Sequence, residues 1–247
     1  MPNIKTQGIV IAKRDFSERD RIFWIFTQDK GLIQAFGKGV RKILARLSGH
    51  LEIGNVLELG LYKGKTFYTI TDAGVIYSYS YLKNDLGKTS ILYHFCELIK
   101  IFMPLDTRHS EVFTLLISSL NLLGRKSTVL AKIYFELKFI GELGFGPELY
   151  KCACGKKVEP NDNYFSFQGG VLCSDSALRD KSAIKISDSV IKLFRWIAIE
   201  DAGNLPLDAK VDAKVLQEAE KILDLYLEYL AEKKLHSLDF MKKVKRF

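Results

Sequence analysis

The chain has 247 residues, 47% of them hydrophobic, with 37 Lys and Arg against 29 Asp and Glu and a formal net charge of +8. That length and apolar content suffice for one large domain or two modest ones, so disorder is not the expectation. The longest uncharged apolar-rich run, residues 112–124, is too short to cross a bilayer and contains Ser118, Ser119 and Asn121, so no membrane-spanning segment is expected.

The first residues place no apolar stretch behind Lys5, so no secretory signal is expected and the chain reads as soluble and cytoplasmic. In that compartment four cysteines are thiols or metal ligands rather than a disulfide framework. Charge is unevenly spread. Residues 1–80 hold 12 Lys and Arg against 7 Asp and Glu, whereas residues 81–247 hold 25 against 22. The excess at the N-terminal end points to an acidic partner such as nucleic acid, with an anionic membrane surface as the weaker reading.

The first 80 residues read as strands separated by glycine-bearing turns. Gly8 to Ala12, Arg21 to Thr27, Leu32 to Phe36, Asn55 to Tyr62 and Thr66 to Tyr77 alternate or are rich in β-branched residues, and Lys63-Gly64-Lys65 has hairpin chemistry. Five short strands in this length predict a small closed barrel, of OB or SH3-like type. Between Lys30 and Leu51 lie Lys30, Lys38, Arg41, Lys42 and Arg46 without one acid. Gly37 and Gly39 permit turn conformations there, which predicts a mobile cationic loop suited to phosphates; a merely solvated hairpin has the same sequence. Upstream, Asp15, Glu18 and Asp20 alternate with Lys13, Arg14, Arg19 and Arg21, a pattern of internal ion pairs rather than of a metal site.

After Tyr81 the period lengthens to about 3.6. Ile91, Phe95, Leu98, Ile99 and Phe102 share a stripe of a helix ending before Pro104, with Cys96 among its core residues. Further helices are predicted over Ser110 to Leu123, from Ser127 to Gly144, over Ser187 to Ala202, over Asp212 to Glu232 and over Ser237 to Val244. Their apolar stripes are core packing. Pro147, Gly155, Pro160, Gly169 and Gly170 interrupt the helical pattern across 147–182, a compact insertion that contains three of the four cysteines.

Structural zinc takes four ligands in a tetrahedron, usually as two close pairs. Cys152, Cys154 and Cys173 make one and a half pairs, and His50, His94, His109 and His236 all lie outside the insertion. The fourth ligand would be Asp175, a water or a distant residue. The same segment also reads as a metal-free knuckle packed by Tyr164, Phe165, Phe167 and Leu172. No phosphate loop, nucleophile elbow or His-Glu-x-x-His motif occurs, and no catalytic residue is assigned. Lys233, Lys234, Lys242, Lys243, Lys245 and Arg246 form a second basic cluster, either an extension of a phosphate-binding surface or a solubilising end.

Several motifs occur in a specific order. Gly8-Ile9-Val10-Ile11-Ala12 is followed by Phe16 and Glu18, by Phe26-Thr27 and Gly31-Leu32, and by Lys38-Gly39-Val40-Arg41-Lys42. Then come Phe135-Glu136-Leu137, the run from Glu142 to Leu149, Cys154-Gly155, Gly169 to Cys173, and Leu235 to Phe240. In these features the chain resembles the RecO family of bacterial DNA repair proteins over nearly its full length.

The resemblance implies an α+β, two-domain protein: a five-stranded OB-fold barrel over 1–80 that binds DNA, then an all-α domain over 81–247 with a zinc-ribbon-like insertion at 147–182. It implies a non-catalytic recombination mediator that binds single- and double-stranded DNA, anneals strands and, with RecR, loads RecA onto strands coated by single-stranded DNA-binding protein. The expected DNA contacts are Lys38, Arg41, Lys42, Arg46, Arg14, Arg19 and Arg21. Phe16 is expected to stack on bases, and Phe36 either stacks or belongs to the barrel core. Lys132 and Lys138 are expected to rim a pocket for the acidic tail of single-stranded DNA-binding protein. Zinc-bearing members have paired Cys-x-x-Cys motifs, whereas Lys151 and Ser176 stand here where two cysteines are expected. The alternatives are an OB-type RNA-binding or ribosome-associated factor and, more distantly, a zinc-dependent hydrolase.

Overall fold

The structure, a computed structural model, describes residues 4–42, 47–125, 127–160, 162–203 and 211–244. Five strands come first: β1 (Ile4–Asp15), β2 (Arg21–Thr27), β3 (Gly31–Gly37), β4 (Val56–Lys63) and β5 (Tyr68–Tyr77). They close in the order β1-β2-β3-β5-β4, an OB-like barrel. Closure is made by the parallel pairing of β3 with β5, Ala35 with Tyr68 and Phe36 with Thr69. A register shift in β1 between Val10 and Ala12 lets one long strand pair with β2 at one end and β4 at the other.

Alternation decides which side chains fill the barrel. Phe23 and Ile25 of β2, Ile33 and Ala35 of β3, and Leu57, Leu59 and Leu61 of β4 point inward with Val10 and Ile70. The intervening residues of β2 and β3 face outward in register: Ile22 with Phe36, Trp24 with Gln34 and Phe26 with Leu32. Phe36 is therefore on the outer face and not in the barrel core.

A short 3-10 turn at Ser80–Asn84 leads to α1 (Leu86–Phe102), capped by the Asp85 side chain, which accepts from the Lys88 N–H at 3.0 Å. The helix stops at Met103 because the residue before Pro104 is driven to extended backbone. Ile91, Phe95, Leu98 and Ile99 are buried as the period predicts, and burial of Cys96 pushes its thiol up to about 12. Phe102 is only half-buried.

The chain continues through α2 (Ser110–Arg125), α3 (Thr128–Glu142), β6 (Asn163–Ser166), β7 (Gly170–Cys173), α4 (Ser174–Ala177), β8 (Ile184–Ile186), α5 (Asp188–Ile199), α6 (Ala213–Ala231) and α7 (His236–Val244). The 147–182 insertion supplies β6 and β7, which form a small antiparallel sheet with β8 in the order β7-β6-β8. Two compact units result: Met1–Thr114 with Leu235–Phe247, and Leu115–Lys234. The change from strand to helix near residue 80 thus lies inside the first unit, since α1 packs with the barrel and with α7.

The return of α7 is fixed by polar contacts as well as apolar ones. The N–H groups of His236 and Ser237, orphaned at the helix start, donate to the Glu97 carboxylate at 3.1 and 2.8 Å. Buried His94 contacts the Ser237 hydroxyl at 2.7 Å through Nδ1.

Candidate nucleic-acid interface and thiol cluster

In its described part, residues 38–42, the cationic segment after β3 is tied down by hydrogen bonds. Val40 is buried among the barrel core residues and acts as an apolar plug between the cations. Gly39 adopts a φ of 68°, a left-handed turn that ordinary residues resist, and its N–H donates to Asp20 Oδ1 at 2.7 Å. The Arg41 N–H donates to the Arg19 carbonyl at 3.0 Å, and its guanidinium donates to the Ser17 carbonyl at 2.6 Å. These bonds lash the segment to the β1–β2 hairpin turn. The sequence expectation of a mobile loop missed them because the partners lie some twenty residues upstream.

The expected ion pairs of the hairpin are present. Arg21 donates to Asp15 at 2.6 Å, and Arg41 lies 3.3 Å from the same carboxylate. The Arg21 hydrogen bond outweighs desolvation and holds the Asp15 carboxyl below the usual range, with the charges of Arg21, Arg41 and Lys13 adding to it. The Gly39 N–H does the same for Asp20. Lys13 is bound by Glu52 at 2.7 Å.

Lys38 and Lys42 are exposed and, with Arg19, Ser17, Glu18, Asp20 and Gly39, line a cleft of about 430 Å³. Arg14 is exposed at the end of β1. Phe16, 59% exposed, stands edge-on to Phe36 with ring centroids 5.3 Å apart. At the other end of the same outer face, Phe113 packs against Phe26 and Leu105 bridges to Leu32. The aromatic surface is thus covered away from the cationic loops and open beside them. Arg46 lies outside the described residues.

One cation on this outer face was not anticipated from the sequence. Lys100, in the last turn of α1, places its ammonium 4.5 Å from the centroid of the Trp24 ring, on the outer face between the two aromatic clusters. Only tertiary folding brings the two together, so no local pattern could have indicated them.

Lys132 is not a rim residue. It is fully buried in α3, and its ammonium bonds Asp224 at 2.5 Å and lies 3.1 Å from Glu136 and 3.5 Å from Glu220. Burial opposes its charge, but the three carboxylates outweigh burial and hold its pKa above the usual lysine value. The sequence expectation failed because an i, i+4 Lys–Glu pair looks the same on a surface stripe and in a core. Lys138 is half-buried and donates to the Ala198 carbonyl at 2.8 Å, tying α3 to the end of α5.

In the insertion, Cys152, Cys154 and Cys173 bring their sulfurs within 4.8 Å of one another. The knuckle turn is closed by the Gly155 N–H donating to the Cys152 carbonyl at 2.8 Å, and the Cys173 N–H donates to Cys152 Sγ at 3.3 Å. Asp175 does not join the sulfurs; its exposed carboxylate pairs with Lys156 at 3.6 Å. Ser176 does, its hydroxyl lying 3.2 Å from Cys152 Sγ and 3.4 Å from Cys173 Sγ. Three thiols close enough to share one soft ion fit a zinc site in number and type of sulfur donor, with an oxygen donor completing the set.

A closed five-stranded barrel with cationic loops and an open aromatic edge at one end defines an OB-like protein with the surface chemistry of a nucleic-acid binder. The family model for the Recombination protein O N terminal matches residues 1–79, and that for the Recombination protein O C terminal matches residues 83–239. The chain is 33% identical over 247 residues to the DNA repair protein RecO of Dehalococcoides mccartyi, covering 99% of this chain and 97% of that protein. To the DNA repair protein RecO of Acetivibrio thermocellus it is 32% identical, covering 100% and 99%, and to that of Clostridium novyi 30%, covering 98% and 94%. The chain belongs to the RecO family of DNA repair proteins. Among the described residues, no helix is long and apolar enough to cross a membrane.

Proposed function

We propose that the barrel binds single- and double-stranded DNA through its cationic loops, anneals complementary strands and, with RecR, helps load RecA onto strands coated by single-stranded DNA-binding protein. The observation that carries this reading is the lashed pair of loops: Lys38, Lys42 and Arg19 line one cleft beside exposed Phe16. Cations on an anchored backbone neutralise phosphates without reading base edges, so binding is strong and sequence-tolerant. Annealing then needs only that one surface screen the repulsion between two strands while leaving their base edges free. No ATP and no catalytic turnover are required.

Phe16 offers a face to an unpaired base, and stacking of that kind contributes about 1–3 kcal/mol per base. Arg14 extends the phosphate track along β1. For the acidic tail of single-stranded DNA-binding protein, Lys138 is the remaining candidate of the two lysines on α3. In the cell the protein would act in the cytoplasm at the nucleoid.

Fluorescence anisotropy with labelled single- and double-stranded DNA over a salt series tests the reading. Each phosphate neutralised on a single strand contributes about 0.7 to the salt slope, so Lys38→Ala/Lys42→Ala flattens it by about 1.4. An unchanged slope and affinity in that variant overturns the assignment of the cleft. Structured RNA outcompeting single-stranded DNA would overturn the choice of DNA.

A further inference from the structure

We propose that Ser176 supplies the fourth ligand of a Cys152, Cys154, Cys173 zinc site, so that the insertion holds a single divalent ion with three sulfurs and one hydroxyl oxygen. The inference concerns the insertion alone and stands whether or not the barrel binds DNA.

The distances carry it. Around a tetrahedral zinc with metal–sulfur bonds of about 2.3 Å, neighbouring sulfurs lie about 3.8 Å apart, and an oxygen at about 2.0–2.2 Å lies roughly 3.5 Å from each sulfur. Here Cys154 and Cys173 are 3.8 Å apart and Cys152 and Cys173 are 3.5 Å apart. Ser176 Oγ is 3.2 Å from Cys152 and 3.4 Å from Cys173. Four of the six donor-to-donor edges of a ligand tetrahedron are thus near the lengths that one shared ion requires, and the Cys152 and Cys154 sulfurs lie within 4.8 Å of each other.

The backbone supports the same set. Cys152 and Cys154 flank the tight turn closed at Gly155, while Cys173 ends β7 and Ser176 sits one helical turn further on, so two separate limbs converge. The Cys173 N–H to Cys152 Sγ hydrogen bond has the character of an outer-sphere contact that orients a sulfur ligand. Cys152 is buried and Cys154 exposed, which encloses the site on one side and leaves an entry path on the other. Asp175, the carboxylate nearest in sequence, is turned toward Lys156.

The test uses full-length reduced protein and Zn(II) alone, with stoichiometry read by metal analysis and affinity by competition with a chromophoric chelator. Co(II) then replaces zinc so that sulfur-to-metal charge transfer reports the number of thiolates. Expected are one ion per chain and a three-thiolate spectrum. Ser176→Ala weakens zinc binding about 10-fold or more, and Asp175→Ala leaves it unchanged. Ser176→Cys tightens binding and adds a fourth thiolate to the cobalt spectrum. The proposal is overturned if folded wild-type protein, checked by far-ultraviolet circular dichroism, retains no zinc. It is equally overturned if Asp175→Ala weakens binding as Ser176→Ala was expected to, or if Ser176→Ala and Ser176→Cys both match wild type in affinity and spectrum.

Discussion

The guanidinium of Arg41 lies 3.3 Å from the carboxylate of Asp15, whose other oxygen already accepts a hydrogen bond from Arg21. One acid therefore engages two cations from different segments at the edge of the candidate DNA surface. Removing its charge frees both guanidiniums for phosphate, so Asp15→Asn is expected to raise affinity for single-stranded DNA and steepen the salt slope. The carboxyl is held below the usual range and is ionised throughout the physiological range, so the gain should persist from about pH 5 to 8. Anisotropy titrations at several salt concentrations check this, and weaker binding in the variant would contradict it.

Asp20 has a different task, since it anchors backbone by accepting from the Gly39 N–H. Asp20→Ala should free the loop and raise the hydrogen-exchange rates of the Gly39 and Arg41 amides at neutral pH, with the barrel amides unaffected. The sign of the pH effect follows from the depressed carboxyl. The tie is fully present above the unfolded-state value and is lost as pH falls through the lower folded one, so the protection of these amides relative to their intrinsic exchange should fall only in strong acid.

Lys132 makes the opposite use of charge. Its removal would take the shared ammonium away from the carboxylates of Glu136, Glu220 and Asp224 in the helical unit. Lys132→Met is expected to destabilise the protein by about 3–5 kcal/mol in denaturant unfolding. Lys132→Glu should be worse and is unsuitable as a probe of surface binding. Lys138→Glu, whose side chain is partly exposed, is the variant that tests a contact with an acidic peptide.

Glu97 caps α7 from outside the helix. Partial burial opposes its charge, but hydrogen bonds from Ser237 and His236 prevail and lower its pKa. Its contribution is therefore complete above the usual glutamate value and disappears as pH falls through the folded one. Glu97→Gln should cost about 1–2 kcal/mol at neutral pH and flatten the acid limb of a stability–pH curve. A variant whose acid limb matches wild type would remove Glu97 from that role.

The barrel was legible because alternation in β2 and β3 leaves no choice of face: Phe23, Ile25, Ile33 and Ala35 must point together once the strands form. Cations at 38, 41 and 42 were legible as a cluster for the same local reason. What the chain conceals is pairing at a distance. Nothing near Arg41 announces Asp15, nothing near Trp24 announces Lys100, and the burial of Lys132 depends on α6, nearly ninety residues downstream. At the knuckle, cysteine spacing pointed to a metal and left the fourth ligand open among Asp175, a water and a distant residue, although Ser176 was already legible as standing where a cysteine is expected. Only the turn of α4 reveals that the neighbouring hydroxyl faces the sulfurs.

The docking of α7 beside α1 also constrains biosynthesis. The first compact unit is assembled from two stretches with residues 115–234 between them. During translation the ribosome must deliver that whole intervening unit before the helix that completes the first can emerge. Until then the α1 surface that receives Ser237 at Glu97 and His94 lacks its partner helix, and the first unit carries an unfilled seat. A chain stalled or cleaved before residue 235 should therefore expose this face to chaperones and proteases, even with all five strands already made.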